Sequence, residues 1–198
     1  MARTAITYPR LPLGGIFQKE TRIEGTTGDV ASTAADGWLE SEKFNWWLYR
    51  FGGTWSCEFD TAVTRTGTRT LLIQATDATG RGAVYNSIAN GVTVARLYKH
   101  CVHVLPLTSY TLNCYVKTTD AAASSVFVFT NQYNAAGTKG TVTSSNKLTG
   151  TNDWTLCTLT HTTDADARFL EIGLIINVAS ATLQSAWFDV NSMILIKN

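Results

Sequence analysis

The sequence predicts an all-β fold, a two-sheet antiparallel β-sandwich over residues 21–198 led by an extended N-terminal arm over residues 1–20. Three observations carry that prediction. The chain has 198 residues and is 44% hydrophobic and 11% aromatic but only 16% charged. The missing charge is made up by Thr, Ser, Asn and Gly, and Thr forms strands while tolerating water. Long helices would carry more Glu, Lys, Leu and Arg. Short runs of alternating or continuous apolar residues recur between Gly, Pro, Asn and Asp turn signals. Their spacing is that of a sandwich.

The elements follow in order. Residues 1–20 hold Pro9, Pro12 and the pair Gly14-Gly15, a density that breaks regular structure. Ile6, Tyr8, Leu11, Leu13, Ile16 and Phe17 give this arm apolar residues to dock, on a neighbouring subunit or on the chain's own sandwich. TTGDVASTAADGW reads as a surface loop ending at Trp38, and FNWWLYRFGGTWSCEF as two short strands about Gly52-Gly53. TRTLLIQAT is a buried strand. Residues 83–98 fit either strands or a short helical turn. KHCVHVL is a strand ended by Pro106. In YTLNCYVKT, Tyr110, Leu112, Cys114 and Val116 share one face, and Thr111, Asn113, Tyr115 and Lys117 the other. SSVFVFTNQY is apolar on both faces, so it is central or covered. WTLCTLTH, RFLEIGLIIN and SAWFDVNSMILI complete about eight to ten strands, a number that suits a jelly roll. Trp38, Tyr110 and Trp154 read as core anchors, since large aromatics dominate such cores.

The net charge of +1 offers no electrostatic footprint for nucleic acid or an acidic membrane. The N-terminus shows no signal peptide, and no run approaches the roughly 20 apolar residues of a membrane helix. The expectation is synthesis in a cytoplasm. Cys57, Cys101, Cys114 and Cys157 match no zinc spacing and sit among strand residues, so they read as free thiols packed as small apolar groups. His100 and His103 would point to opposite faces of a strand and cannot share a metal.

A series of small motifs spans roughly residues 20 to 196: TRIEGTTG and DGW, TGTRTLLI, PLTSYTLNCYVKT, FTNQYNAAGT, NDWTLCTLT and AWFDVNSMIL. In this order they resemble the carbohydrate-binding-module-like (galactose-binding-like) jelly rolls, found beside glycoside hydrolases and also in phage virion proteins. The resemblance implies the fold and leaves the ligand open. It also implies a structural calcium near the first and last strands, with Glu24 and Asp189 at the acidic positions and carbonyls of residues 67–70 as partners. Val190 replaces the second acid of that pattern, and the plainer reading bonds Asp189 to backbone. No other cofactor is expected.

A sugar site needs aromatic platforms for C–H faces and amides for hydroxyls. The candidates are Trp46, Trp47, Tyr49, Tyr115 and Tyr133, with Asn113 and Asn131 as polar partners. The competing reading covers this face with the arm, loops or another subunit. No motif for a hydrolase nucleophile, a phosphate loop or a zinc protease is present, and no enzyme is expected. Two functions remain. The first is a virion structural protein, a phage capsid decoration, fibre-head or attachment component, whose partners are other virion proteins, copies of itself and host glycans. The alternative is a soluble carbohydrate-binding module acting as a lectin.

Overall fold

A computed structural model of the chain describes residues 11–12, 23–25, 38–40, 45–51, 55–67, 69–75, 80–85, 94, 97–98, 101–178 and 184–198. Within residues 11–56 and 75–85, and at 122–125 and 178, the description is of the backbone alone. The described residues are nearly all strand: β1 (Leu11–Pro12), β2 (Ile23–Gly25), β3 (Trp38–Glu40), β4 (Asn45–Phe51), β5 (Trp55–Asp60), β6 (Thr70–Ala75) and β7 (Gly80–Tyr85). There follow β8 (Val102–His103), β9 (Ser109–Asn134), β10 (Lys139–Ser144), β11 (Leu148–Thr162), β12 (Ala167–Val178), β13 (Gln184–Phe188) and β14 (Ile194–Lys197). Every pairing is antiparallel, and the main path runs β2-β5-β6-β13-β9-β12-β7-β4-β3. Val94, Leu97 and Tyr98 are helical, so 83–98 splits between the end of β7 and a helical turn. Of KHCVHVL, expected as a full strand, the described residues 101–105 keep the two residues of β8 paired to β12.

The 26-residue β9 organises the molecule. Its first part has β11 on one side and β13 and β14 on the other. Its second part has β12 on one side and β10 on the other. The change of neighbours coincides with a bend. Asp120 has φ +56°, a left-handed conformation that Asp tolerates better than most residues. Across the ladder Gly150, paired to Ala121, has φ +72°, and the β11 register shifts on both sides of it. Such irregularities re-aim both strands together.

The first part of β9 behaves as its alternation predicts: Tyr110, Leu112, Cys114 and Val116 are buried, and the residues between them are half-buried. One buried cluster joins Leu112, Cys114 and Val116 to Cys57, Leu71, Ile73 and Phe188, and to Val126, Val128, Leu170, Ile172, Leu174 and Ile176 from the second set. The antiparallel sheet therefore curls around a single core. All four cysteines are buried and free, and Cys114 lies directly opposite Cys157. Burial pushes the Cys157 thiol up to about 11 and raises Cys57 and Cys114 as well. Trp154, expected in the core, is only half-buried, because the register shift after Asn152 turns Cys157 and Leu159 inward instead.

The expected arm, residues 1–20, lies outside the described residues except for β1. There Leu11 pairs with Leu195 and Pro12 with Ile194, on the chain's own last strand.

Candidate functional site

The core takes the even-numbered residues of β12 and of the second part of β9. Their odd-numbered residues form a second face, and it too is buried: Phe129, Asn131 and Tyr133 on β9, Phe169, Glu171 and Ile175 on β12. Strands apolar on both sides are central or covered, as the continuous runs VFVF and LIIN announce.

Register builds this face rung by rung. Phe127 faces Ile175, Phe129 faces Gly173, Asn131 faces Glu171 and Tyr133 faces Phe169. Gly173 continues to Tyr85 on β7, Trp47 on β4 and Trp38 on β3. Ile175 continues to Ala83 and Tyr49. Gly173 is the pivot of the face. A Cβ there would lie 2.1 Å from Phe129 Cζ, so the phenyl ring lies across the glycine. A glycine inside a strand marks such an approach.

Beside that ring opens a cavity of about 250 Å³ lined by Phe127, Phe129, Asn131, Lys139, Val142, Ser144 and Ile175. Its polar corner is fixed from behind. Glu171 is 1% exposed, and its Oε2 accepts hydrogen bonds from Asn131 Nδ2 at 2.5 Å and Tyr133 Oη at 3.0 Å. A buried carboxylate needs such donors. Lys147 places its Nζ 5.2 Å from the centre of the Phe127 ring.

The residues expected to bind sugar divide between this face and elsewhere. Trp47 and Tyr49 fall on its rungs. Trp46 pairs with Leu39, one residue out of phase with those rungs. Asn131 lines the cavity. Tyr133 is no platform: it packs with Leu97, Cys101 and Phe169 under the helical turn. Asn113 and Tyr115 belong to the first part of β9 and do not meet the other candidates. Asn113 Oδ1 accepts from Thr158 Oγ1 at 2.5 Å, and the Arg65 guanidinium sits 3.4 Å above the Tyr115 ring centre. Glu171, Phe127, Phe129, Gly173, Lys139 and Lys147 were not anticipated as site residues. The signal was there in RFLEIGLIIN, where one acid and one glycine interrupt an apolar strand.

The corner expected to hold calcium is built differently. Asp189 is fully buried, and its Oδ2 accepts from Thr66 Oγ1 at 2.6 Å and Ser192 Oγ at 2.7 Å, with Arg65 Nη1 at 3.4 Å. The carbonyls of Thr66 and Arg69 accept from Asn191 Nδ2 at 3.0 and 2.5 Å. Asp189 Oδ1 is the carboxylate oxygen left without a hydrogen-bond partner among the described residues, whereas calcium takes six to eight oxygens. The Glu24 side chain lies outside the described residues.

No protein-family profile and no curated protein matches the chain. Solved structures do. A tailspike protein 4 domain of bacteriophage CBA120, described as enzymatically active, superposes with a TM-score of 0.59 at 11% identity, over 85% of this chain and 21% of that one. An arabinose-bound MgGH51 α-L-arabinofuranosidase gives 0.56 at 15% identity, over 96% and 27%. The CBM22-1–GH10 modules of a Clostridium thermocellum endo-1,4-β-D-xylanase, complexed with xylohexaose, give 0.50 at 9% identity, over 77% and 26%. The chain thus spans about a fifth to a quarter of these proteins. At such identities the likeness is one of fold: a carbohydrate-binding-module-like jelly roll, of the kind also found in phage proteins.

Proposed function

We propose that the chain is a non-enzymatic, glycan-binding domain that forms part of a phage virion, with the two sets of strands about β9 acting as the two sheets of a jelly-roll sandwich. The observation that carries the reading is the cavity on the second sheet's outer face. Phe127 and Ile175 offer an apolar wall to sugar C–H groups, and Asn131, held by Glu171, offers a fixed polar group. The backbone rungs of Trp47, Tyr49 and Tyr85 continue the same sheet beside the cavity. Glu171 acts as a positioning residue, because its Oε2 is taken by Asn131 and Tyr133.

The tailspike likeness supports the virion setting, and the xylanase modules support the alternative of a free-standing carbohydrate-binding module. The two settings share one site and part on assembly. Glycan-array binding by the full chain, compared with a Phe127→Ala variant, tests the site: binding is expected and is expected to fall at least about tenfold on losing the aromatic wall. Size measurement by light scattering tests the setting. An oligomer supports the virion component, and a monomer that still binds glycans supports the module.

A further inference from the structure

We propose that the cavity beside Phe129 selects anionic glycans, sugars bearing a carboxylate or a sulfate ester, over neutral ones. The inference rests on the glycan-binding reading above and adds to it the charge of the ligand.

The argument comes from which charges near the cavity are committed and which are not. Lys139 lines the cavity and is exposed. Lys147 is also exposed and holds its ammonium over Phe127, an aromatic of the same wall. Neither lysine makes an ion pair among the described residues. Elsewhere Lys117 pairs with Asp153 at 2.9 Å and Arg65 with Asp189 at 3.4 Å. Glu171, the acid bonded to the cavity's Asn131, does not neutralise the lysines at its surface. It is sealed behind Asn131, and its Oε2 already takes two donors.

A ligand for this site therefore needs three things. It needs an apolar ring face to lie against Phe127. It needs a hydroxyl, because Asn131 spends its amide N–H on Glu171 and leaves its Oδ1 as an acceptor. It needs a negative charge within reach of two ammonium groups on flexible stems, which act as point charges toward an anion. A neutral sugar meets the first two only. An acidic sugar meets all three, and the cation held over the aromatic wall places charge recognition beside stacking.

The test measures binding of the full chain to three oligosaccharides of similar length: xylohexaose (neutral), an oligogalacturonate (carboxylated) and a sulfated galactan oligomer. At low salt at least one acidic ligand is expected to bind about five- to tenfold more tightly than the neutral one, as two exposed charge contacts allow. In about 1 M salt, where the Debye length falls to about 3 Å, that advantage is expected to vanish while neutral binding stays. Lys139→Gln and Lys147→Gln together are expected to erase the preference, so that acidic and neutral ligands bind alike, and both positions are exposed enough to fold normally. Preference for one acidic ligand over the other identifies the anion. Equal affinity for all three overturns the inference and leaves the glycan-binding reading standing. Absence of binding to every ligand, with wild-type folding intact, overturns both.

Discussion

The two parts of β9 present outward faces of opposite character. On the first part, Asn113, Tyr115 and Lys117 are closed by partners: Thr158 on the amide, Arg65 on the ring, Asp153 on the ammonium. On the second part, Phe127, Phe129 and Asn131 line a cavity at which Lys139 and Lys147 make no ion pair among the described residues. The same strand therefore carries a finished surface and an unfinished one. Aromatic content does not separate them, since both have aromatics. Commitment of the polar groups does: a surface that has satisfied its own donors and charges has little left with which to recognise a ligand.

The sharpest way to break the contrast is to remove the buried acid that organises the second face. Glu171→Ala leaves the Asn131 amide and the Tyr133 hydroxyl without their acceptor in a site sealed from water. A loss of about 3 kcal/mol is expected in a denaturant titration. Glu171→Gln, which keeps an acceptor oxygen, should recover much of it. Equal loss in both variants would mean that shape rather than hydrogen bonding holds Asn131. Next in size is Gly173→Ala. Its methyl group meets Phe129 Cζ at 2.1 Å, and the ring, 6% exposed, has little room to swing. Overpacking of this kind costs about 2 kcal/mol, and glycan affinity should fall with stability because the cavity wall has moved. On the first face, Lys117→Gln should change neither quantity measurably, since its pair with Asp153 is exposed to solvent.

A smaller effect tests how the two parts are tied together. His161 on β11 belongs by register to the first part, opposite Tyr110. Its side chain reaches the second part, where Thr130 Oγ1 donates to Nδ1 at 2.8 Å and Nε2–H donates to Gln132 Oε1 at 3.1 Å. Gln132 Oε1 also accepts from the Asp164 backbone N–H, which fixes the amide's orientation and so the neutral tautomer. Burial lowers the His161 pKa below 6.5, with Asp164 opposing in part. The unfolded chain then binds the extra proton between the lowered folded value and 6.5. Stability is complete above 6.5 and is lost as pH falls through that window, by up to about 1.4 kcal/mol for each pH unit of displacement. Denaturation midpoints of wild type and His161→Gln across this range should converge at the acid end. Parallel curves would remove His161 as the cause.

Much of this was legible in the sequence, for a local reason. Strand alternation is written in consecutive residues, so the inward set Tyr110, Leu112, Cys114, Val116 could be read directly, as could the double-sided character of 126–133. What could not be read was which strand lies beside which. Tyr115 looked like an open platform because Arg65, which covers it, is far away in the chain. Tyr133 looked like a sugar contact because the residues it packs with, Leu97, Cys101 and Phe169, are distant in the chain. In both cases the partner is fixed only by long-range register.

The smallest effect is expected where the resemblance implied a metal. Asp189 Oδ2 and the carbonyls of Thr66 and Arg69 would be natural ligands, and each already accepts from this chain's own side chains. Arg65 supplies the positive charge, Thr66 and Ser192 supply hydroxyl donors, and Asn191 takes the carbonyls of Thr66 and Arg69. Gly67, with φ +71° and a Cβ position only 2.8 Å from Asn191 Nδ2, is what lets the loop close on that amide. A ligand that binds only the folded state raises Tm in proportion to its saturation. Melting the full chain in excess calcium and in excess chelator should give the same Tm. Arg65→Met should lower it in both, because the buried Asp189 carboxylate loses its counter-charge. A rise in Tm with calcium would show that Asp189 Oδ1 and donors beyond the described residues complete a metal site after all, and would tie this corner to the ion instead of to Arg65.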